Sequence, residues 1–394
     1  MTSRFFLLTF SLVIFLSGSA RSIDETAIAI LRGGPAFISD SLSLRQEMAE
    51  IDISTNLPDP ELSGEFLSAP WEESDRWGAV LSWGLEWPGV YNARKKQAAS
   101  QKNSSVLAID VERRNRLIEI KSLLLDYVLK RKKLALIEKL YAANDTIDSL
   151  AHKAAKAGEI TLLDLNKIKL DNASLRGARA TMADELAATV TSLSVIYGKD
   201  CRALIETMEC EFPAIYIPDA EEAARMSESA PDALIAAAEA SLAKTAEKVA
   251  KMETLPGITF GYKYAHEDAQ NFNGAVLGLT LPLFSSRHKT AAAKAAGAAA
   301  EYKETAAKET AHAEITATIR KLTRMKEQIA EIGAIINSND YNSLLLKAYE
   351  NKVINLIDYL SERNYFTNAT IEFLDLEHSA AVTSLDLQKY LLPY

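Results

Sequence analysis

Two regions of the chain alternate apolar residues with glycine, serine or other small or polar residues. At 77–87 the odd positions are apolar and the even positions are mostly small, and 274–281 repeats this pattern. Each region follows a second alternating segment, a weak one around 57–66 and a stronger one at 257–264. A period of two is typical of β-strands with one apolar face. The sequence therefore predicts two β-hairpins, at about 57–88 and about 256–284.

The predicted strands have two interpretations. They are about 9–11 residues long, the length that a tilted strand needs to cross a membrane. A small soluble sheet with one buried face fits the alternation equally well. The tryptophans favour the membrane interpretation, because all four lie at or just before one strand, as aromatic residues at a membrane interface do. They are Trp71, Trp77, Trp83 and Trp87.

Each hairpin is followed by a long region with the composition of a helix. Residues 90–156 contain neither proline nor glycine, and 285–350 contain no proline and only two glycines. At about 1.5 Å per residue, each region makes a helix of about 100 Å. Helices of this length cannot fold back into a compact domain, so we expect them to extend away from the sheet.

Shorter helices are predicted to return along the long ones. The first, at 160–197, follows a turn near Gly158, and the second, at 354–391, follows a turn near 351–352. Both carry apolar residues at heptad-like spacing, which is typical of a coiled-coil seam. These residues are Leu165, Ile168, Leu175, Met182, Leu186, Leu193 and Ile196 in the first, and Tyr359, Phe366, Phe373 and Leu387 in the second.

The two halves of the chain are an internal duplication with an offset of 194 residues. Gly84-Leu-Glu-Trp-Pro88 aligns with Gly278-Leu-Thr-Leu-Pro282, and Asp164 aligns with Asp358. In both halves the proline precedes the aspartate by 76 residues, a spacing that chance matches in alanine-rich helices do not explain. We interpret each half as one supersecondary unit. The predicted organisation is a leader at 1–20, a first repeat at 21–200, a linker at 201–218 and a second repeat at 219–394, each repeat comprising a helix, a β-hairpin and a long α-hairpin (about 90–197 and 285–391).

The N-terminus has the features of a secretory signal peptide. Arg4 precedes twelve largely apolar residues at 5–16, and small residues follow at 18–20. This order is typical of a cleaved leader. A membrane anchor is the alternative, but twelve residues are too few to cross about 30 Å of hydrocarbon. After residue 20 no apolar run is long enough for a transmembrane helix, so a membrane crossing would require strands.

Four strands per chain predict an oligomer. Strand edges carry unpaired N–H and C=O groups, which lipid does not tolerate. Two copies would give eight strands with a filled interior, and three would give twelve strands around an aqueous lumen. We favour three copies, with Gly78, Ser82, Gly84, Gly274, Gly278 and Thr280 directed inward. The residues expected to face the membrane are Trp77, Leu81, Trp83, Leu85, Trp87, Leu277, Leu279 and Leu281.

Composition excludes several classes of function. The formal net charge is −9, whereas nucleic-acid binders need clustered Lys and Arg for phosphate contacts. With two cysteines and five widely spaced histidines, no metal site or disulfide-rich scaffold is expected. The sequence contains none of HExxH, the P-loop, GxGxxG, GxSxG or CxxC, so we expect neither an enzyme nor a cofactor. Cys201 and Cys210 enclose a short linker, and both a local disulfide and two unpaired thiols are open.

The arrangement resembles the TolC-type outer-membrane efflux protein family. The matching segments are the strand ends Gly84-Leu-Glu-Trp-Pro-Gly89 and Gly278-Leu-Thr-Leu-Pro-Leu-Phe284, and the tip Ala157-Gly-Glu-Ile-Thr-Leu-Leu-Asp-Leu165. The second tip has Lys352 where the family usually has glycine and Asn355 where it has threonine or serine. Glycine adopts such turn conformations freely and lysine does not.

The resemblance implies a trimeric conduit in the bacterial outer membrane. Its fold would be mainly α with a membrane β part, forming a 12-stranded β-barrel and a 12-helix periplasmic α-barrel. The helix tips would contact a periplasmic adaptor protein, coupled to an inner-membrane pump of RND or ABC type, in efflux or type I secretion. The expected contact residues are Gly158, Glu159, Ile160, Thr161, Lys352, Val353, Ile354 and Asn355.

The two aligned aspartates have two interpretations. By the resemblance, Asp164 and Asp358 would stand near a constricted entrance, where three copies place six carboxylates that favour cations. Alternatively, they cap the return helices, since aspartate is favoured near helix N-termini.

A different class of function is a periplasmic coiled-coil adaptor or structural protein without a pore. Such an adaptor would need a glycine-rich β domain split by one helical hairpin. Two hairpins and a duplication argue against it.

Overall fold

The computed structural model describes residues 21–68, 75–158, 160–267, 270–284, 288–337 and 341–390. The predicted leader at 1–20, Trp71 and the tip residue Glu159 lie outside the described residues. The elements in chain order are α1 (Ile23–Gly33), α2 (Pro35–Ile53), β1 (Glu61–Ser68), β2 (Asp75–Leu85), α3 (Pro88–Ala157), α4 (Leu162–Tyr197), α5 (Arg202–Glu206), α6 (Ala220–Glu228), α7 (Pro231–Met252), β3 (Gly257–Glu267), β4 (Gln270–Thr280), α8 (Lys289–Asn337), α9 (Tyr341–Glu350) and α10 (Leu356–Gln388).

The mainly helical fold with a small antiparallel sheet is confirmed. Helix α3 alone has 70 residues and a length of about 105 Å. In the second repeat, α8 and α9 lie where one long helix was predicted, on either side of residues outside the described ranges. Of the described helices, none combines the length and apolar character that crossing a bilayer requires.

The single helix predicted before each hairpin is a pair of helices. Pro35 and Pro231 start the second helix of each pair, where a missing N–H costs no intrahelical hydrogen bond. In the first repeat the joint fits closely against the end of α4, since a Cβ added to Gly34 would lie 2.6 Å from the carbonyl oxygen of Ile196. In the second repeat the Ser229 hydroxyl donates to the carbonyl oxygen of Tyr390, just after α10, at 3.5 Å. Each helix pair therefore contacts the C-terminal end of the return helix in its own half of the chain.

The four strands form one antiparallel sheet in the order β1-β2-β3-β4. Strands β2 and β3 pair across the boundary between the repeats, from Trp77 opposite His266 to Leu85 opposite Ile258. The two hairpins are therefore one continuous surface. Strands β1 and β4 are the edges, each with a ladder partner on one side only.

The register sorts the strand residues onto two faces. We call one the aromatic face; it carries Leu62, Phe66, Trp77, Leu81, Trp83, Leu85, Ile258, Phe260, Tyr262, Tyr264, His266, Asn271, Asn273, Leu277 and Leu279. We call the other the glycine face; it carries Gly78, Ser82, Gly84, Gly261, Gly274, Gly278 and Thr280, the charged residues Glu61, Glu65, Arg76, Lys263 and Glu267, and the apolar residues Leu67, Val80, Phe272 and Val276.

Two residues predicted to be in strands lie beyond them. Strand β2 ends at Leu85 and β4 at Thr280, so Trp87 and Leu281 belong to the connections to the helices. The N–H of Glu86 leaves the ladder because it donates to the hydroxyl of Tyr91 at 3.0 Å. In the second copy a tight turn begins at once, with the N–H of Leu283 donating to the carbonyl oxygen of Leu281 at 2.9 Å.

An ionic cluster holds the sheet to the helices. The Arg94 guanidinium, on α3, donates to Glu86 at 3.0 Å and to Glu253, just after α7, at 2.9 Å. Lys289, at the start of α8, lies 3.1 Å from the other oxygen of Glu253. The junctions of both repeats are therefore joined to each other.

Of the two alternatives left open for the cysteines, the structure has the second, with Cys201 and Cys210 as free thiols. Cys201 is buried among α1, α3 and α4, with its sulfur 3.1 Å from the Ser194 hydroxyl. Cys210 is half-buried. Burial raises the pKa of both thiols, which keeps them protonated and poorly reactive.

A glycine on β3 permits close approach of its neighbouring strand, and its replacement is a test of the sheet. A Cβ added to Gly261 would lie 2.5 Å from the carbonyl oxygen of Leu81, whereas one added to Gly274 on the same face meets no described atom within 4 Å. We expect Gly261→Ala to lower the free energy of unfolding by about 1–3 kcal/mol, because β2 and β3 must separate. Gly274→Ala should leave it unchanged in the same urea titration in detergent. Equal effects of the two substitutions would contradict this close contact.

Candidate functional site

Each turn between an outgoing and a return helix contains a residue with a left-handed φ angle, at equivalent positions of the two halves. Gly158 has φ 78° and Lys352, 194 positions later, has φ 57°. The lysine therefore accepts the left-handed conformation at a cost of about 1–2 kcal/mol. Hydrogen bonds from the N–H of Lys352 to Tyr349 and from the N–H of Val353 to Ala348, each 2.9 Å, close the turn. Lys352 thus keeps the left-handed φ that Gly158 has in the first turn.

The return helices also begin alike. Thr161 caps α4 by accepting from the N–H of Asp164 at 3.1 Å, and Asn355 caps α10 by accepting from the N–H of Asp358 at 2.9 Å. Both aspartates are thus the third residue of a helix. The Asp164 carboxylate in turn accepts from the Thr161 hydroxyl at 2.7 Å and its N–H at 3.2 Å. These hydrogen bonds lower the pKa of Asp164 from its usual value.

The two tips pack together in one apolar cluster. It joins the last turns of α3, the first turns of α4, and helices α9 and α10, and Ile160 and Ile354 pack against it. Its buried members are Ile147, Ala151, Leu165, Ile168, Leu345, Leu356, Tyr359 and Leu360. The structure therefore brings both aspartates and both predicted tip segments to one end of the molecule.

Three aliphatic side chains at this end are strongly exposed. Leu162 is 78% exposed, Leu163 68% and Val353 75%. Of these, the sequence prediction included Val353 and missed both leucines. Their position could have indicated their exposure, because both lie in the first turn of α4 and outside the heptad stripe that begins with Leu165. Exposed aliphatic residues at the end of long helices are suited to contact with another protein.

A buried ion pair joins the return helices α4 and α10 next to the apolar tip cluster, on the side away from the turns. The Arg363 guanidinium on α10 donates to Asp171 on α4 at 2.6 Å, and Arg363 is 2% exposed. The Asn364 amide donates to the other oxygen of Asp171 at 3.3 Å. The sequence prediction missed this pair, because an arginine within an apolar heptad pattern does not reveal which helix supplies its carboxylate.

The second candidate surface is the sheet. The aromatic face exposes its apolar side chains, with Leu277 83% and Leu279 62% exposed. Within the described strand side chains, formal charges lie on the glycine face alone, where Arg76 pairs with Glu267 at 2.8 Å. One face is therefore suited to an apolar solvent and the other to water.

The expected lumen residues and the expected membrane residues fall on opposite faces. All six expected lumen residues lie on the glycine face. They are Gly78, Ser82 and Gly84 in β2, and Gly274, Gly278 and Thr280 in β4. The aromatic face carries the expected membrane residues that lie in the strands, namely Trp77, Leu81, Trp83, Leu85, Leu277 and Leu279.

Three solved structures illustrate what the chain is similar to. A membrane protein from Pseudomonas aeruginosa matches with TM-score 0.78 and 18% identity over 93% of this chain and 89% of that one. The CmeC outer membrane channel of Campylobacter jejuni matches with TM-score 0.76 and 16% identity over 95% and 86%. The open MtrE outer membrane channel of Neisseria gonorrhoeae matches with TM-score 0.73 and 12% identity over 93% and 88%.

These likenesses establish the fold, which is the one expected from the sequence resemblance. No protein-family model and no curated protein matches the sequence. Within the described ranges, no group of three or more His, Cys, Asp or Glu side chains is placed to hold a metal ion.

Breaking the buried ion pair tests how strongly the tips are held together. We expect Arg363→Met to lower the free energy of unfolding by about 3–5 kcal/mol, because Asp171 would be left as a partly buried charge without its partner. Hydrogen exchange should also become faster in the first turns of α4 and α10.

The exposed pair between Arg179 and Glu138, 3.5 Å apart, provides the control. Arg179→Met should cost less than about 1 kcal/mol, as water screens such pairs. Similar losses in both variants would show that burial gives the Arg363 pair no special strength.

Proposed function

We propose that this chain is the outer-membrane channel of a tripartite efflux or type I secretion system. Three copies would form a passive conduit from the periplasm to the exterior, with a twelve-stranded barrel in the membrane and a twelve-helix barrel in the periplasm. Two of the similar structures are described as outer membrane channels, which supports this assignment. Energy would come from a pump of RND or ABC type in the inner membrane.

The observation that carries the proposal is the division of the sheet into two faces. Hydrocarbon accepts exposed leucine and aromatic side chains but not charged ones, whereas an aqueous lumen accepts glycine, serine and charged side chains. The aromatic face meets the first requirement and the glycine face the second. A soluble sheet would instead bury its apolar face, but Leu277 and Leu279 lie mostly exposed.

The open edges of the sheet support an assembly of several copies. Strands β1 and β4 each pair on one side only, and lipid offers no hydrogen-bond partners for the other side. Pairing β4 of one copy with β1 of the next satisfies both edges at once. Three copies give twelve strands, a number wide enough for water and solutes to pass.

The helix tips are suited to the role of a periplasmic docking end. They lie at the far end of helices about 100 Å long, and they expose Leu162, Leu163 and Val353 around the two turns. We propose that this surface, with the residues flanking Gly158 and Lys352, contacts the adaptor. In this proposal, Asp164 and Asp358 stand at the periplasmic entrance.

Charged substitutions on adjacent residues of β4 test which face contacts lipid. Leu277→Arg places a cation on the aromatic face, where it should cost about 2–4 kcal/mol at mid-membrane and prevent insertion. Val276→Arg places the same charge on the glycine face and should be tolerated. Heat-modifiable trimers in outer-membrane fractions and channels in planar bilayers provide the measurement.

Loss of membrane insertion in Val276→Arg with normal insertion of Leu277→Arg would reverse the assignment of the faces. A purified mature protein that is monomeric and stable without detergent would contradict the channel itself.

Removing the carboxylates tests the proposed entrance. We expect the double variant Asp164→Ala, Asp358→Ala to have a higher single-channel conductance and a weaker preference for cations, because six charges leave a narrow ring in the trimer. Asp164→Asn, Asp358→Asn is the matched control for the loss of size, since it removes the charge and keeps the volume. Unchanged conductance and selectivity would place the aspartates away from the entrance and leave them only as helix caps.

A further inference from the structure

The aromatic face carries more polar side chains near the hairpin turns, at the end of the sheet farthest from the helices. There Trp77, His266 and Asn271 lie side by side across three strands, and Tyr264 and Asn273 lie in the neighbouring row. We call these five residues the rim. Nearer the helices, the corresponding rows contain leucine, isoleucine, phenylalanine and tryptophan.

The rim side chains form one connected network. The Trp77 ring lies 5.1 Å from the Tyr264 ring and 5.8 Å from the His266 ring, measured between centroids. The Tyr264 hydroxyl donates to the Asn271 side-chain oxygen at 2.9 Å, and His266 Nδ1 lies 2.8 Å from the same oxygen. An amide oxygen only accepts, so Nδ1 carries the proton in this contact.

This network leaves a donor and an acceptor for an outside molecule. With Nδ1 donating, Nε2 of a neutral His266 is an acceptor, and the Asn271 NH2 group is a donor. Asn273 similarly accepts from the Tyr262 hydroxyl at 2.6 Å, which leaves its own NH2 group as a donor. Beside them, Trp77 is 46% exposed and offers an aromatic surface. A donor, an acceptor and an aromatic ring on one patch match the hydroxyl groups and the C–H face of a sugar ring.

The distribution of charge identifies the kind of headgroup. The charged residues Arg76, Lys263 and Glu267 at this level lie on the opposite, glycine face. No described rim side chain offers the lysine or arginine that phosphate recognition uses. Neutral sugar is the chemistry that the rim complements, and a phosphate group is not.

We propose that the rim binds neutral sugar residues of a glycolipid in the outer leaflet surrounding the channel. This inference rests on the proposed function, which directs the hairpin turns to the exterior and the aromatic face to lipid. At that depth the rim meets headgroups, since strands of eleven residues tilted by about 40° rise through the whole hydrocarbon layer. Interfacial aromatic residues alone would anchor the barrel to any lipid; the amide and imidazole groups add selection for the sugar.

The test compares two lipid probes on the purified full-length protein. One probe is a diacylglycerol with a neutral hexose headgroup, and the other is phosphatidylglycerol with the same acyl chains. Native mass spectrometry counts the lipid molecules retained after detergent exchange. We expect the wild-type protein to retain the sugar-bearing probe preferentially. Trp77→Leu and Asn271→Leu should each reduce that preference about five- to tenfold, the loss expected from one aromatic or hydrogen-bonded contact.

Trp83→Leu is the matched control, because Trp83 lies on the same strand and face but against Phe260, three rows nearer the helices. It should keep the preference. Equal retention of the two probes by the wild-type protein, or an equal loss in Trp83→Leu, would overturn the proposal and leave an unselective aromatic belt. Conductance in planar bilayers distinguishes failure of the rim proposal from failure of the proposed function. Conducting channels without a sugar preference would refute only the rim proposal, whereas absence of channels would refute the proposed function. Asn271→Leu, which changes an exposed side chain, serves if Trp77→Leu fails to assemble.

Discussion

The hydrogen bonds of the backbone are the constraint on which the rest of this protein depends. The sheet satisfies the interior strands β2 and β3 on both sides, but it leaves one side of β1 and one side of β4 without a ladder partner. In water, the unpaired N–H and C=O groups of such edges bind water and can pair with another chain. In hydrocarbon they have no hydrogen-bond partner, which costs several kcal/mol per group. The proposed assembly meets this constraint by pairing the edges of neighbouring copies. In the same proposal, the long helices of each copy contribute part of the tube that crosses the periplasm.

Each half of the chain contains one β-hairpin followed by long helices, and the two halves differ in particular contacts. Gly158 and Lys352 both have a left-handed φ, although this conformation is strained for lysine. The buried pair of Arg363 and Asp171 has no counterpart, since the positions 194 residues away are Lys169 and Tyr365. Hydrogen bonds between backbone groups can preserve a turn through such a change. An ion pair cannot be preserved unless both partners are kept, so the return helices meet asymmetrically within each copy.

Much of the fold could be predicted from the sequence, because its signals are periodic and occur twice. The alternation at 77–87 fixed which residues share a face, and the absence of proline and glycine at 90–156 indicated one long helix. The ends of the strands were less predictable. Trp87 lies outside β2 because the N–H of the preceding residue, Glu86, donates to the hydroxyl of Tyr91 and not to a neighbouring strand. Contacts between separate helices were not predictable at all. The Arg363 pair and the free thiol of Cys201 against Ser194 depend on packing that no local pattern records.

Register connects the sheet's stability to its surface chemistry. A slip of one residue between β2 and β3 would move every side chain of one strand to the opposite face, placing Lys263 beside the leucines and Tyr264 on the glycine face. Gly261 opposes such a slip, because it lets the backbone of β2 approach β3 more closely than any side chain would allow. The close contact at Gly261 and the polar rim above it are thus consequences of one alignment, because only this register brings Trp77, His266 and Asn271 into line.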